Sequence, residues 1–398
     1  MNDSPRAVAA TALGRVLREG AYSNVLLAPL GDDPDGRLVR RLVYGTLRHL
    51  VRIDRLLAQA ASRPLDAIQP GLLDLLRIAT WELRLGDGAP HAAVNEAVTV
   101  AETRFGKPVT GFANAVLRSV QRAEERLPAG EEGASLELAV APWIYRRLQT
   151  AWGDEETRAF LTASLVPAGR TGRVRPGADG GAGEPVAGIP GAIAGGPVGP
   201  GVLPMDPASV AVGLAAEVTP GMSVLDMAAA PGGKTMHVVD LLEGRGTVVA
   251  ADAHARRVRS ARSRLEQLDV VVPWIVADGR RPPFPPAVFD RVLLDAPCTG
   301  LGTLRRRPEI RHRLDPESPD RSAELQRQLL ASALRLVKPG GFVVYSACTV
   351  FPEETVDVVD GLAAEPPRGL PGRVAGQGWL LAPHLTGTDG MFISLVRP

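Results

Sequence analysis

The sequence is poor in cysteine and has no long apolar run, and each shortage excludes a class of protein. Its 398 residues include only Cys298 and Cys348, and without a CxxC pair they cannot supply a zinc site of typical spacing. No apolar stretch approaches the roughly 18 residues that a membrane span needs. The charged N-terminus lacks a signal-peptide apolar region, so a cytoplasmic protein is expected. A structural disulfide is not expected in that reducing compartment, which leaves thiols that are either inert and buried or reactive.

Lysine and aromatic residues are also scarce. Only Lys107, Lys234 and Lys338 are lysines among 45 basic residues, and the net charge is +1, which argues neither for nor against nucleic acid. This skew towards arginine, with 43 Gly and 35 Pro, is typical of a GC-rich genome. With 4% aromatics, stacking platforms for RNA bases are few, so shape and phosphate contacts should dominate any RNA binding.

The first 126 residues predict an all-α domain, placed at 1–130. Five segments space apolar residues three and four apart, and Gly- or Asp-rich pieces separate them. They are "RAVAATALGRVL", "RLVRRLVYGTLRHLVRIDRLLAQAA", "GLLDLLRIATWELRL", "HAAVNEAVTVAETRF" and "GFANAVLRSVQRAEERL". His91, at the start of the fourth segment, is expected to cap or pack rather than to catalyse.

A reduced connecting region is placed at 131–204. It begins with the helical pattern "PWIYRRLQTAWGDEETRAFLTASL" and then changes composition, since 19 of the 38 residues from Pro167 to Pro204 are Gly or Pro. No periodicity accompanies them. This tract is predicted to be a mobile linker or long loop.

Residues 205–398 alternate between strands and helices. Five short valine-rich runs, "SVLDM", "GTVVAAD", "VPWIVAD", "FDRVLLDAP" and "GFVVYSAC", are separated by helical patterns. Near-continuous apolar strands joined by helices predict a parallel sheet covered on both faces, an α/β Rossmann-like domain. Ligands of such sheets bind at the carboxyl ends of the strands.

The first of these strands runs into a loop of small residues. The stretch "LDMAAAPGGKT" ends like a phosphate-binding loop, but Ala228 stands where that motif needs its first glycine. A GxGxxG dinucleotide motif is absent as well. The candidate ligand-binding residues, of which a tight turn without ligand is the alternative, are Ala228, Ala229, Ala230, Pro231, Gly232, Gly233 and Lys234.

Three successive strands end in an acid: Asp252, Asp278 and Asp295. A single acid there often caps the next helix, but three beside a glycine loop favour a nucleoside-like ligand. The first can hold ribose hydroxyls, and the next can accept from an adenine amino group. This pattern favours S-adenosylmethionine over ATP or NAD.

Several motifs carry a family resemblance. The stretches "LDMAAAPGGKT", "DAPCTGLGTLRRRPEIR", "YSACTVFPEE" and "PHLTGTDGMFISLVR" resemble those of the RNA 5-methylcytosine methyltransferases, and within them the ribosomal small-subunit enzymes of the RsmB (Sun/Fmu) type. Upstream, "RLVYGTLRH" and "HAAVNEAVTVAE" resemble the NusB-like RNA-binding domain fused to those enzymes. The resemblance implies a multidomain protein, an all-α NusB-like domain followed by a class I methyltransferase domain at 205–398.

The resemblance also implies roles for three residues. Cys348 would be the nucleophile that adds to carbon 6 of a cytosine in 16S ribosomal RNA, which activates carbon 5 towards the methyl donor. Cys298 would assist breakdown of the covalent adduct. Asp295 would donate to nitrogen 3 of the base, for which it needs a proton and hence a raised pKa, besides helping to bind S-adenosylmethionine. No metal is implied, and a monomer is expected.

Two arginine clusters are candidate RNA contacts, because guanidinium groups suit phosphate. Arg305, Arg306, Arg307 and Arg311 follow the Cys298 turn, and Arg41 and Arg48 lie on the second predicted helix. The alternatives are a solvated basic helix start and a plain amphipathic surface helix.

Some departures keep other functions open. Ala347 stands where the family has threonine before its nucleophile, and the 167–204 tract keeps little of the family's RNA-contacting subdomain. A tRNA cytosine-5 methyltransferase and a non-catalytic NusB-type RNA-binding factor are therefore alternatives. A DNA methyltransferase, which would use a thiol like that of Cys298, is disfavoured by Thr299 in the place of its usual glutamine.

Overall fold

A computed structural model describes residues 4–86, 90–125, 127–196, 198–199 and 201–398. The side chain of His91 lies outside the described part of the chain, so the role expected for it stays a prediction. The chain forms two compact units, a helical unit of residues 1–165 with 306–314, and an α/β unit of residues 166–305 with 315–398. The helices after residue 130 thus cluster with the N-terminal ones, and the domain limits drawn at 130 and 204 stay predictions. None of the described helices is both long and apolar enough to span a membrane.

The helical unit confirms the predicted all-α fold. Its core is made of apolar side chains from the first six helices, spaced as the sequence predicted. Local capping fixes where helices begin, since the Ser4 and Asp33 side chains accept from the backbone N–H groups of Ala7 and Gly36. The helices are α1 (Pro5–Arg18), α2 (Ser23–Leu27), α3 (Pro34–Ala60), α4 (Pro70–Arg84), α5 (Pro90–Phe105), α6 (Thr110–Arg122), α7 (Gly130–Glu137), α8 (Pro142–Trp152) and α9 (Asp154–Leu165).

Gly45 lets α3 approach α4 closely, and its replacement gives a first testable effect. A Cβ at Gly45 would lie 2.2 Å from the Trp81 ring. We expect Gly45→Ala to destabilise the protein by about 1–3 kcal/mol in urea unfolding, because overpacking outweighs the better helix propensity of alanine. Gly111→Ala is the matched control, since Gly111 is exposed on α6 and a Cβ there would have no atom within 4 Å. Equal effects of the two substitutions would contradict the packing argument.

The prediction of a linker or long loop without regular structure at 167–204 is wrong. The described part of this tract contains a small antiparallel sheet in the order β2-β3-β1-β4. The glycines and prolines supply the turns, while sparse apolar residues such as Ile189 and Ile193 are buried. Ion pairs also stabilise the sheet, because the Asp240 carboxylate accepts hydrogen bonds from Arg173 at 2.6 Å and from Arg175 at 3.2 Å. The strands are β1 (Thr171–Val174), β2 (Glu184–Pro185), β3 (Ala192–Ala194) and β4 (Val202–Pro204).

The main sheet of the α/β unit has a parallel half and an antiparallel half. Its order is β11-β12-β13-β9-β8-β5-β6-β7, with β10 paired to β13. Strands β9, β8, β5, β6 and β7 run parallel, as predicted, and the C-terminal strands add antiparallel pairs. The strands are β5 (Ser223–Asp226), β6 (Thr247–Asp252), β7 (Trp274–Val276), β8 (Phe289–Asp295), β9 (Val337–Ala347), β10 (Ala363–Glu365), β11 (Arg373–Ala375), β12 (Gly378–Leu381) and β13 (Met391–Arg397).

Helices cover the main sheet and complete the predicted Rossmann-like class. Two buried apolar clusters lie against the sheet, one with α13 and one with α10. Because β5, β6, β8 and β9 run parallel, the chemically active residues that follow them meet at one edge. The helices are α10 (Pro207–Leu214), α11 (Gly233–Leu241), α12 (Ala255–Glu266), α13 (Ser318–Leu336), α14 (Val356–Val359) and α15 (Pro383–Thr386).

Candidate active site

The structure brings the two cysteines together at the ends of β8 and β9. Their Sγ atoms are 3.2 Å apart, within hydrogen-bond distance, and both thiols are free. Strand pairing explains this meeting, since Asp295 on β8 is in register with Ser346 on β9, and each cysteine follows within three residues. Each cysteine is half-buried.

The Cys298 thiol holds its proton strongly. The hydrogen bond to Cys348, and then burial, raise the pKa of Cys298 well above its ordinary value. A thiol that retains its proton can donate to the neighbouring sulfur, and this donation stabilises a thiolate on that neighbour. Either sulfur can donate in this contact, and the raised pKa of Cys298 favours Cys298 as the donor. The catalytic roles expected for the two cysteines stay predictions.

Lys234 and Asp295 form an ion pair in this site. Lys234 Nζ donates to Asp295 Oδ2 at 2.7 Å, and Ser346 Oγ donates to Asp295 Oδ1 at 3.0 Å. Burial disfavours the Lys234 ammonium, but the charge and the hydrogen bond of Asp295 outweigh the effect of burial and raise the pKa of Lys234. The nearby Cys348 also contributes to this increase. A positive charge is thus held near the thiols. The proton expected on Asp295 stays a prediction.

Glu354 is a site residue that no sequence pattern indicated, although it lies in the stretch "YSACTVFPEE". Its side chain is completely buried. Its carboxylate accepts from the Thr299 backbone N–H at 2.8 Å, from the Thr299 hydroxyl, and from Gln326 Nε2 at 3.2 Å. Burial raises the pKa of Glu354 despite these donors. The only sequence signal is its position on the loop beyond β9 and Cys348, and such a position does not reveal burial.

A cavity of about 580 Å³ lies beside the ends of β5, β6 and β8. Three acids were predicted to hold a nucleoside-like ligand; Asp252 and Asp278 are in the wall of this cavity, whereas Asp295 is not among its lining residues. Asp252 is buried, and its carboxylate accepts from the backbone N–H groups of Ala230 and His254. Two carboxylates against apolar side chains fit a ribose and a flat base. The residues around the cavity are Met227, Ala228, Asp252, Ala253, His254, Arg257, Asp278, Gly279, Arg280, Leu294, Pro297, Leu325 and Leu329.

The small-residue loop contributes to this cavity only in part. Ala228 is in the wall, Ala229 and Ala230 are buried, and Pro231 is exposed. Gly232 has a φ of 94°, which favours glycine, and a Cβ there would lie 2.6 Å from Leu265. Gly233 begins α11. The loop therefore shapes the turn as well as the ligand cavity, and its assignment to the cofactor stays a prediction.

Two of the six arginines predicted to bind RNA are buried, which corrects that prediction. Arg311 is 3% exposed and donates to the backbone oxygens of Arg48 and Ala139, at 2.9 and 3.1 Å. Burial lowers the pKa of Arg311 to about 9. Arg48 is 5% exposed and donates to the Tyr44 oxygen. Phosphate cannot reach guanidinium groups enclosed in this way, so both arginines belong to the interior of the helical unit.

The other four arginines remain candidates. Arg41 is exposed, and Arg305, Arg306 and Arg307 are half-buried. Arg305 donates to the Gly387 oxygen at 2.5 Å, and the Arg307 guanidinium lies 5.2 Å from the centre of the Tyr22 ring. These contacts orient the side chains, and RNA binding by them stays a prediction.

Asp226, at the end of β5, gives a pH-dependent prediction. Burial raises its pKa from 3.8 to about 6, although Thr235 donates to it at 2.7 Å. Below about pH 3 the carboxyl is protonated in both the folded and the unfolded chain, whereas above about pH 7 folding buries its charge at a cost of about 3 kcal/mol. The stability of the wild type relative to Asp226→Asn should therefore fall as the pH rises from 4 to 7.

Urea unfolding of wild type and Asp226→Asn at pH 4.5 and 7.5 measures this difference, which should change by about 2 kcal/mol between the two conditions. Asp360→Asn is the control, because Asp360 is exposed, and its effect should not change with pH in this way. A constant difference between wild type and Asp226→Asn would contradict the buried-charge argument.

Comparisons with known proteins agree with this architecture. Residues 214–397 match the family model of the 16S rRNA methyltransferase RsmB/F, and residues 3–122 match the NusB family. The chain is 31% identical to a probable ribosomal RNA small subunit methyltransferase B from Bacillus subtilis, over 99% of this chain and 98% of that protein. It is 35% identical to a putative methyltransferase from Mycobacterium tuberculosis, over 99% and 96%. The crystal structure of PH0851 has the same fold, with a TM-score of 0.83 and 23% identity over the whole of both chains.

Proposed function

Because the chain belongs to the ribosomal RNA small subunit methyltransferase B family, we propose that it methylates carbon 5 of a cytosine in 16S ribosomal RNA through a covalent adduct with Cys348. The observation that carries this proposal is the 3.2 Å separation of the two Sγ atoms beside the Lys234–Asp295 pair. Cysteines that serve only for packing in a core need neither a second sulfur within hydrogen-bond distance nor a nearby ion pair.

S-adenosylmethionine fits the residues around the cavity. Asp252 can accept from both ribose hydroxyls, and Asp278 offers a carboxylate to the adenine amino group. Leu294, Leu325 and Leu329 offer apolar surface to the base. When bound, this cofactor supplies an electrophilic methyl group.

Cys348 provides the nucleophile. Its thiolate adds to carbon 6 of the cytosine, and the electron pair of the carbon 5–carbon 6 double bond moves through the ring towards nitrogen 3. The Cys298 thiol and the Lys234 ammonium stabilise the thiolate before it attacks. The adduct makes carbon 5 nucleophilic enough to accept a methyl group.

The Lys234–Asp295 pair serves nitrogen 3. Negative charge develops there as the sulfur attacks, and a proton donor at that edge stabilises it. Lys234 Nζ donates to Asp295 Oδ2 at 2.7 Å, so a proton that moves from the ammonium to Asp295 can be passed on to nitrogen 3.

Cys298 acts after methyl transfer. Loss of the carbon 5 proton re-forms the double bond and expels the Cys348 sulfur, so a base is needed close to that sulfur. While Cys348 is bonded to the base, it no longer accepts the Cys298 hydrogen bond as a thiolate. Cys298 then gives its own thiol proton to solvent, and this is the one proton that the methylation releases overall. The Cys298 thiolate then takes the carbon 5 proton, the carbon 5–carbon 6 double bond re-forms, and Cys348 leaves as a thiolate. Nitrogen 3 returns its proton to the Lys234–Asp295 pair, and Cys298 again faces Cys348 as a thiol across the 3.2 Å contact.

Methylation of defined RNAs tests the function. Purified protein with S-adenosylmethionine and a 16S ribosomal RNA transcript should yield 5-methylcytosine that bisulfite sequencing maps to a discrete site, whereas a tRNA transcript should yield none. Methylation of the tRNA alone would favour the tRNA enzyme. RNA binding without any methylation of either transcript would favour the non-catalytic binding factor.

A further inference from the structure

Glu354 connects the two turns that carry the thiols. The first turn follows β8 and contains Cys298 and Thr299, and the second follows β9 and contains Cys348 and Thr349. Glu354 lies beyond the second turn, yet its carboxylate accepts from the backbone and side chain of Thr299 in the first. A fully buried carboxylate is costly unless donors satisfy it, so these bonds constrain where the first turn can lie.

Other contacts reinforce the same connection. Gln326 donates to both Glu354 and the Pro297 oxygen, at 3.2 and 2.9 Å. The Tyr345 hydroxyl donates to the Glu354 backbone oxygen at 2.7 Å. Residues of β9 and α13 therefore fix the position of Glu354, and Glu354 in turn fixes the position of Thr299, the residue next to Cys298.

Besides the contact between the sulfurs, hydroxyl and backbone groups also join the turns directly. The Thr299 and Thr349 hydroxyls are 2.9 Å apart, and the Gly302 N–H donates to the Cys348 oxygen at 3.1 Å. Neither bond involves the peptide between Cys298 and Thr299. The N–H of that peptide donates to Glu354, so Glu354 acts on the backbone of Cys298 itself.

We propose that Glu354 is a positioning residue that keeps the Cys298 thiol against Cys348, and that its loss selectively slows release of the methylated RNA from the covalent adduct. This inference rests on the proposed function. Cys348 directly follows the last residue of β9, so the strand itself fixes its position. The attack by Cys348 therefore depends less on Glu354 than the release step does, because release needs Cys298.

Glu354→Gln and Glu354→Ala in the full chain test this role. The glutamine keeps the size of the side chain but cannot accept from all three donors. With ordinary 16S transcript and S-adenosylmethionine, both variants should accumulate a covalent adduct on denaturing gels, and turnover should fall by about a hundredfold. Methyl transfer in a single turnover should change by less than about tenfold. Asp357→Asn, at an exposed acid of α14, is the control and should behave as the wild type does.

The outcomes separate this inference from the proposed function. Glu354 variants that form no more adduct than the wild type, or that lose attack and turnover in parallel, overturn the inference. RNA containing 5-fluorocytosine traps the adduct without any release step, so its reaction with the wild type reports on the proposed function alone. Thermal unfolding of each variant shows whether the fold is kept, and Glu354→Gln, which removes no heavy atom from the core, decides the question if Glu354→Ala does not fold.

Discussion

Replacing Cys348 by serine should abolish methylation, with kcat/KM lowered by more than about a thousandfold. A serine hydroxyl is a much weaker nucleophile than a thiolate at neutral pH, and the donors around Cys348 cannot compensate for this difference. The Cys298 thiol at 3.2 Å and the nearby Lys234 stabilise a thiolate, but neither is a strong base that could ionise a hydroxyl. Initial rates with 16S transcript and labelled S-adenosylmethionine measure the loss.

The same variant should form no adduct with RNA that contains 5-fluorocytosine. RNA affinity and cofactor affinity serve as controls, and both should stay within about threefold of the wild type, because the substitution replaces one small side chain by another. A trapped adduct in Cys348→Ser would show that another group, with Cys298 as the first candidate, attacks the base.

Cys298→Ala should accumulate covalent adduct on ordinary RNA, while turnover falls by about a hundredfold or more. The substitution leaves the nucleophile in place but removes the thiol that faces it, so the adduct forms and then persists. Denaturing gels of protein incubated with 16S transcript and S-adenosylmethionine detect the shifted band.

The double variant with Cys348→Ser is the control for Cys298→Ala, and it should show no shifted band. Normal turnover of Cys298→Ala without adduct would reject the release role of Cys298. It would leave Cys298 as a donor that only lowers the energy of the Cys348 thiolate.

The spacing of apolar residues along the chain predicted the helices and the parallel strands well, because this spacing indicates which face of an element is buried. It failed for the 167–204 tract, whose sparse apolar residues form a sheet that is stabilised by the buried Arg173–Asp240 pair. It also failed for Arg48 and Arg311, since no local feature of a sequence shows that an arginine will be enclosed. Glu354 was overlooked for the same reason, because its partners Thr299 and Gln326 are distant in the chain.

Three properties of this protein follow from its residues alone: an all-α part that precedes an α/β part, the order of strands along the chain, and the chemical types at the strand ends. Packing decided which of those side chains meet. The distance between two side chains on neighbouring parallel strands depends on the register of the strands, and the number of residues between them in the sequence does not determine it. Packing brought two sulfurs from residues 50 positions apart to 3.2 Å, paired Lys234 with Asp295, and buried arginines that were expected at the surface. Burial and ion pairing exist only in the folded chain. They set the proton affinities of the thiols and charged groups and the distances between them, and the chemistry depends on both.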